Sequence, residues 1–220
     1  MNIIITGDIH GQFSYLNRLI NRHKDWLDLV ICCGDFGYWP NFTDNHKLIK
    51  THVPVLWCDG NHDNHWALKD LIKSGDLEIT KNVFYMPRGS VYTLDDGRTI
   101  LFMGGADSID KDSRTIGHDW FPEEIITQND ITDLPDVKID IFITHTCPVE
   151  LYSTLVNYYD PNDDNPEPSN YALSTLWDIY KPSFWFFGHW HYYTKGRLHK
   201  TYWQALSYAG SNMKWWTKFK

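Results

Sequence analysis

The chain of 220 residues has no apolar run near the ~20 residues that cross a bilayer, so no membrane-spanning or membrane-partner role is expected. Cysteine is scarce. The four present, Cys32, Cys33, Cys58 and Cys147, fall in or just after strand-like apolar runs, where small buried thiols are common and a disulfide framework is not expected. A basic surplus is missing as well: 20 Lys and Arg stand against 28 Asp and Glu, for a net charge of -8. That balance argues against the broad phosphate-backbone footprint of a duplex-binding protein. Met1 leads straight into Asn2-Ile3-Ile4-Ile5, without the basic start, apolar stretch and small-residue cleavage site of a secretory leader. With reduced thiols, this makes a cytoplasmic location the expectation. No Gly/Ser-rich or Pro-rich linker and no internal repeat divides the sequence, so residues 1–220 are expected to form one domain.

What is present begins with an alternation. Asn2 to Thr6, Leu29 to Cys33 and Val53 to Trp57 read as buried strands, separated by the amphipathic stretch Phe13 to Arg22 and a helix-like stretch from Asp44 to Thr51. This is the βαβ rhythm of a parallel sheet. Asn64 to Lys73 continues as a helix that Gly75 ends. Short strands follow at Val83 to Met86, Ser90 to Leu94 and Thr99 to Gly104, with Asp95-Asp96-Gly97 as a hairpin turn, and are expected to lead into a second sheet. Residues 104–120 lack periodicity and read as a functional loop holding Lys111, Arg114 and His118. Pro122, Glu123 and Glu124 open a predicted helix. Asn157 to Pro168 is acidic and Pro-rich and reads as a loop or flap. Ser169 is expected to cap a helix to Tyr180, and the residues after it to supply short strands of the second sheet.

Five segments carry the chemistry: Gly7-Asp8-Ile9-His10-Gly11, Gly34-Asp35, Gly60-Asn61-His62-Asp63, Thr144-His145 and Gly188-His189-Trp190-His191. Each begins where an apolar run ends, which gathers their side chains along one sheet edge. Residues two apart on an extended segment point the same way, so Asp8 with His10, and His189 with His191, are each expected to present a ligand pair in one direction. Trp190, between two of them, is expected to face away and be buried. Carboxylate, amide and imidazole together suit Mn, Fe, Zn, Co or Ni better than Ca or Mg, and the set is complete for two metal ions.

These motifs resemble the calcineurin-like metallophosphoesterase superfamily, whose pattern D-x-H, G-D, G-N-H-(D/E), H and G-H-x-H is matched from residue 7 to residue 191. The resemblance implies an α/β fold, a four-layer α/β/β/α sandwich of two mixed sheets flanked by helices. It also implies metal roles: Asp8, His10 and His191 on one ion, Asn61, His145 and His189 on the other, and Asp35 bridging. The implied activity is hydrolysis of a phosphomonoester or phosphodiester, of a small or nucleotide substrate, by in-line attack of a hydroxide shared by the two ions. His62 would act at the leaving oxygen as an orienting donor or general acid.

The opening motif is similar to the branch holding protein Ser/Thr phosphatases and diadenosine tetraphosphatases, whose second motif reads G-D-x-x-D-R-G. Here that segment is Gly34-Asp35-Phe36-Gly37-Tyr38-Trp39, so the second Asp and the phosphate-clamping Arg of that branch are replaced, which counts against protein phosphatase activity. Gly104 to Lys111 with Arg114 is similar instead to small bacterial and phage-borne metallophosphoesterases. Candidates for a substitute anion clamp are Arg88 or Arg114, with Lys111 third, because guanidinium offers phosphate two parallel donors; a solvated surface cation is the alternative reading for each. Trp39, with Tyr38, Trp66 and Trp120, lies in or beside the ligand-edge loops and is a candidate to stack on a base or aryl group, packing of the loops themselves being the alternative. A nuclease acting on single-stranded DNA or RNA is the second reading, disfavoured by the acidic charge. A non-catalytic binding scaffold is disfavoured by the intact ligand motifs.

Overall fold

The computed structural model describes residues 1–158 and 165–220. The first half lays down β1 (Ile3–Thr6), α1 (Phe13–Arg22), β2 (Leu29–Cys32), β3 (Val55–Trp57), α2 (His65–Ser74), β4 (Glu78–Thr80) and β5 (Val83–Tyr85). Strands β1, β2, β3 and β5 are parallel neighbours, in register at pairs such as Ile5↔Ile31, Ile31↔Leu56 and Leu56↔Phe84, and β4 lies antiparallel at the edge. The second half gives β6 (Val91–Thr93), β7 (Thr99–Met103), β8 (Ile141–Thr144), α3 (Val149–Val156), α4 (Pro168–Tyr180), β9 (Phe184–Phe187), β10 (Thr194–Leu198), β11 (Thr201–Ala205) and β12 (Trp216–Phe219). Two six-stranded sheets result, ordered β12-β1-β2-β3-β5-β4 and β10-β11-β9-β8-β7-β6.

Because side chains alternate along a strand, each sheet has two buried faces. Ile3, Ile5, Leu29, Ile31 and Leu56 of the first sheet meet Ile100, Phe102, Ile141, Ile143 and Phe186 of the second. On the outer face of the first sheet Ile4, Val30, Val55 and Trp57 pack under Leu16 and Ile20 of α1 and Leu68 of α2. On the outer face of the second, Leu101, Phe142, Trp185 and Phe187 pack under Leu151 and Leu155 of α3 and Leu173 and Leu176 of α4. The layers are therefore α/β/β/α, as the resemblance implies.

Several local expectations change. β5 completes the parallel run of the first sheet rather than starting the second, and β12 returns to pair antiparallel with β1. The stretch near Asp44 to Thr51 forms only a 3-10 turn, Asn45–Leu48. Pro122–Glu124 is also a single 3-10 turn, because the carbonyls of Glu123, Glu124 and Ile125 accept hydrogen bonds from Arg88 instead of propagating a helix. Helix α4 is capped by Glu167, paired reciprocally with Asn170, while Ser169 lies in its first turn and accepts from Ile126 N. Helix α3 has no counterpart among the sequence expectations, although Leu151, Tyr152, Leu155 and Val156 mark its buried face. In the acidic Pro-rich stretch, residues 159–164 lie outside the described residues. Helix α2 follows expectation: the Asn64 side chain accepts from Ala67 N, and Gly75 ends the helix in the left-handed region.

Candidate active site

The loops leaving the carboxyl ends of β1, β2, β3, β8 and β9 converge, as binding loops of open α/β sheets do. Asp35 is at the centre. Its Oδ1 accepts from His62 N at 2.7 Å and lies 3.3 Å from His145 Nε2, while its Oδ2 lies 3.6 Å from His10 Nε2. On the Oδ2 side, His10 Nε2 and His191 Nε2 are 3.0 Å apart, and Asp8 Oδ2 is 3.7 Å from the first and 3.0 Å from the second. On the Oδ1 side, Asn61 Oδ1 lies 3.0 Å from His145 Nε2 and 3.1 Å from His189 Nδ1. The seven side chains thus form two groups that share one carboxylate.

The convergence does not come from extended backbone. His10, Asp35, His189 and His191 all have positive φ, at 48°, 42°, 65° and 50°. Such left-handed conformations are uncommon for non-glycine residues, and the surrounding structure must hold them in place. They also separate His189 from His191, so that the two face different groups rather than one direction. Trp190 between them is buried and packs edge-on to Tyr152, as expected. Gly188 is required by space, since a Cβ there would collide with Asp8 Oδ1. The same holds at Gly34, where a Cβ would strike the His145 ring.

Other residues aim the ligands. His145 Nδ1 donates to the Cys33 carbonyl at 2.9 Å, which leaves Nε2 free to face inward. Asn61 Nδ2 donates to Ser108 Oγ at 3.0 Å, which turns its Oδ1 toward the two histidines. Ser108 is held in turn, since its N–H donates at 2.7 Å to the buried Glu124 carboxylate, which also accepts from Trp120 Nε1 at 3.0 Å. Asp63 accepts from the backbone N–H groups of Phe36, Gly37, Tyr38 and Gly60, and so ties the Asp35 loop to the Asn61 loop. Sequence reasoning gave Ser108 and Glu124 no role at the site, and considered Asp63 as a contact of His62 rather than as the tie between these loops.

Burial opposes charge on His145, yet Asp35 and Asp8 draw its pKa up to about 10. The pocket therefore stabilises a cation. Asp8 Oδ2 is fully buried, and two imidazole nitrogens converge beside it. Two carboxylates, one amide oxygen and four imidazoles make a donor set that metal ions of the Mn-to-Zn kind fit.

His62 stands where two clefts meet. Burial holds its imidazole below the ordinary pKa; Asp35 opposes this and Arg114 adds to it. One cleft, of about 490 Å³, runs between residues 107–114 and helices α3 and α4; the other, of about 430 Å³, runs between residues 37–45 and His118. Arg114 lines the first, with Nη2 2.7 Å from Asp110 Oδ1 and 3.2 Å from His62 Nε2. Trp39 lines the second and donates from Nε1 to the His62 carbonyl at 2.9 Å. His118 joins it there. Arg88 joins neither cleft: its guanidinium is bound to Asp59 at 2.8 and 3.0 Å and to the carbonyls of Glu123, Glu124 and Ile125. Lys111 is exposed, Tyr38 packs against Trp57, Trp66 against Phe121, and Trp120 is tied to Glu124.

The chain has relatives of known name. The chain is 23% identical over 234 residues to the human lariat debranching enzyme, covering 87% of this chain and 42% of that protein. It is 22% identical over 213 residues to CWF19-like protein 1 of Pongo abelii, covering 94% of this chain and 38% of that protein. The chain thus spans about two fifths of the length of these curated relatives. Among solved structures, phosphopantetheinyl hydrolase of Mycobacterium tuberculosis shares the fold at a TM-score of 0.56 and 14% identity, over 99% of this chain and 96% of that one. The sequence pattern of the calcineurin-like phosphoesterases runs through residues 1–193, the span that carries every ligand group described above, and the chain belongs to that family of hydrolases.

Proposed function

We propose that this chain hydrolyses a small phosphate ester or nucleotide at a dinuclear centre formed by Asp8, His10 and His191 on one side, Asn61, His145 and His189 on the other, and Asp35 between them. The family is dinuclear-metal dependent. The observation that carries the reading is the division of the Asp35 carboxylate, with one oxygen facing each group of donors. Two metal ions held there supply a nucleophile from water near neutral pH and neutralise charge on the phosphoryl oxygens; Mn, Fe, Zn, Co and Ni all suit the donors.

The protein's own groups position the substrate. Arg114, balanced between Asp110 and His62, is the guanidinium available to a non-bridging phosphate oxygen. His62, at the junction of the clefts, orients or protonates the leaving oxygen. Trp39 fixes the His62 backbone and walls one cleft. Single-stranded RNA or DNA is the second reading. Similarity to lariat debranching enzymes supports it, and the presence of a single Arg among the described residues lining the clefts counts against it.

Asp35→Asn tests the proposal. Metal-supplemented wild type is expected to turn over p-nitrophenyl esters and to hold two metal equivalents by elemental analysis, with the variant losing both turnover and metal. Undiminished turnover in the variant would remove Asp35 from the mechanism.

A further inference from the structure

The two clefts do not suit a terminal phosphate. Besides the histidines, Arg114 is the one cationic side chain among the described residues lining either cleft, and Asp110 at 2.7 Å already offsets its charge. Asp107, Asp110 and Glu167 line the first cleft and Asp119 the second. A dianionic monoester, or a polyanionic strand lying along both clefts, meets net negative charge on leaving the centre. A diester carries one charge, and the centre itself neutralises it.

The shape agrees. A monoester has an organic group on one side of phosphorus, whereas here two separate clefts of similar volume, about 490 and 430 Å³, meet at His62. Each presents a large apolar side chain to solvent: Ile109 is 84% exposed in the first and Phe42 60% exposed in the second. Behind Ile109 the wall is Tyr152, Val156 and Trp190. Phe42 sits between Trp39 and His118, with ring centroids at 5.8 and 5.4 Å. Pockets that take small organic groups are lined in this way, by apolar and aromatic side chains beside a few polar ones.

Resting on the phosphoesterase reading above, we propose that the substrate is a small phosphodiester with two uncharged organic groups, one against Ile109 and Tyr152 and the other, aromatic or heterocyclic, against Phe42, Trp39 and His118. Water adds its oxygen to phosphorus, the bond to one ester oxygen breaks, and the proton ends on that oxygen. The products are an alcohol or phenol and a phosphomonoester. The monoester, now dianionic, is repelled by the acidic walls, so the reaction stops after one cleavage.

Phe42 and Ile109 are exposed, so Phe42→Ala and Ile109→Ser test the idea without threatening the fold. With Mn-loaded protein, kcat/KM for bis(p-nitrophenyl) phosphate is expected to exceed that for p-nitrophenyl phosphate by tenfold or more, with release of one equivalent of nitrophenol. Each variant should lower the diester value about tenfold, mainly through KM, whereas the monoester, with one organic group, should respond to no more than one of the two. Calorimetric binding of diphenyl phosphate against phenyl phosphate separates the two claims. No turnover of either ester, with diphenyl phosphate bound more tightly and both variants weakening it, would defeat the catalytic reading and leave the clefts as diester sites. Faster monoester turnover, or diester binding and turnover unmoved in both variants, would overturn the present inference, and preferred cleavage of single-stranded oligonucleotides would replace it with the nucleic-acid reading.

Discussion

At the scale of single residues, the groups that matter most after the ligands are those that decide which atom of a ligand faces inward. An Asn amide can present oxygen or nitrogen, and only the oxygen coordinates a cation. Ser108 settles the choice by accepting from Asn61 Nδ2. Ser108→Ala is therefore expected to weaken metal binding at the Asn61–His145–His189 group by 10-fold to 100-fold, within the range of such supporting contacts, while Ser108→Thr, which keeps the hydroxyl, restores most of it. Metal titration by calorimetry on apo protein reads this directly, and equal affinities for wild type and Ser108→Ala would assign the serine to packing alone. This residue was not legible in the sequence. The ligand side chains were, because a metal centre needs particular donor types in a particular order, whereas a supporting hydroxyl may come from any nearby loop. The same asymmetry explains Arg88 and Arg114. Both read as candidate clamps, and only position in space, beside Asp59 or beside His62, separates a structural cation from one lining the cleft.

At the scale of elements, Arg88 is the tie between layers. It follows β5 and binds Asp59 after β3 through Nε and Nη2, while Nη2 and Nη1 also donate to three carbonyls of residues 123–125. Burial alone would raise the Asp59 pKa; the Arg88 charge reverses that and keeps it a carboxylate. Arg88→Met leaves the buried Asp59 carboxylate without its counter-charge, with only the Tyr85 hydroxyl still donating to it among the described side chains, and takes the donor from three carbonyls, so unfolding free energy should fall by about 3–5 kcal/mol. Arg88→Lys should recover only part, because one ammonium cannot span these acceptors. Urea unfolding measures both, and a loss below about 1 kcal/mol for Arg88→Met would contradict the pairing described. The elements themselves were legible where patterns were strong: the buried β-branched runs and the amphipathic α1 needed no tertiary information. Pro122–Glu124 was misleading for a tertiary reason, since its helix-opening residues are genuine but Arg88 takes the carbonyls that a helix would use. Membership of the two sheets was also out of reach for β5 and β12, because alternation reports burial and not which neighbour a strand chooses.

At the scale of the whole molecule, acid stability follows from a histidine that is not itself among the ligands. His65 opens α2, is fully buried, and faces Gly60 O at 2.8 Å. Burial depresses its pKa to about 4; Asp59 and Glu123 oppose the shift and Arg88 adds to it. The unfolded chain, with an ordinary histidine pKa near 6.5, takes up the proton first as pH falls. Protons bound to the unfolded state exceed those bound to the folded one throughout that window, so His65 removes stability as pH drops from about 6.5 to about 4, and contributes no further slope below that. The difference reaches about 2.5 kcal/mol at pH 4.5, at about 1.4 kcal/mol per pH unit. His65→Gln keeps an N–H donor for Gly60 O and cannot titrate. Denaturant unfolding of the metal-free protein at pH 7 and pH 4.5 should therefore show wild type losing roughly 2–3 kcal/mol more than the variant. Because the carboxylates titrate in both proteins, their contribution cancels in the comparison, and equal losses would mean that His65 is solvated or charged inside the fold.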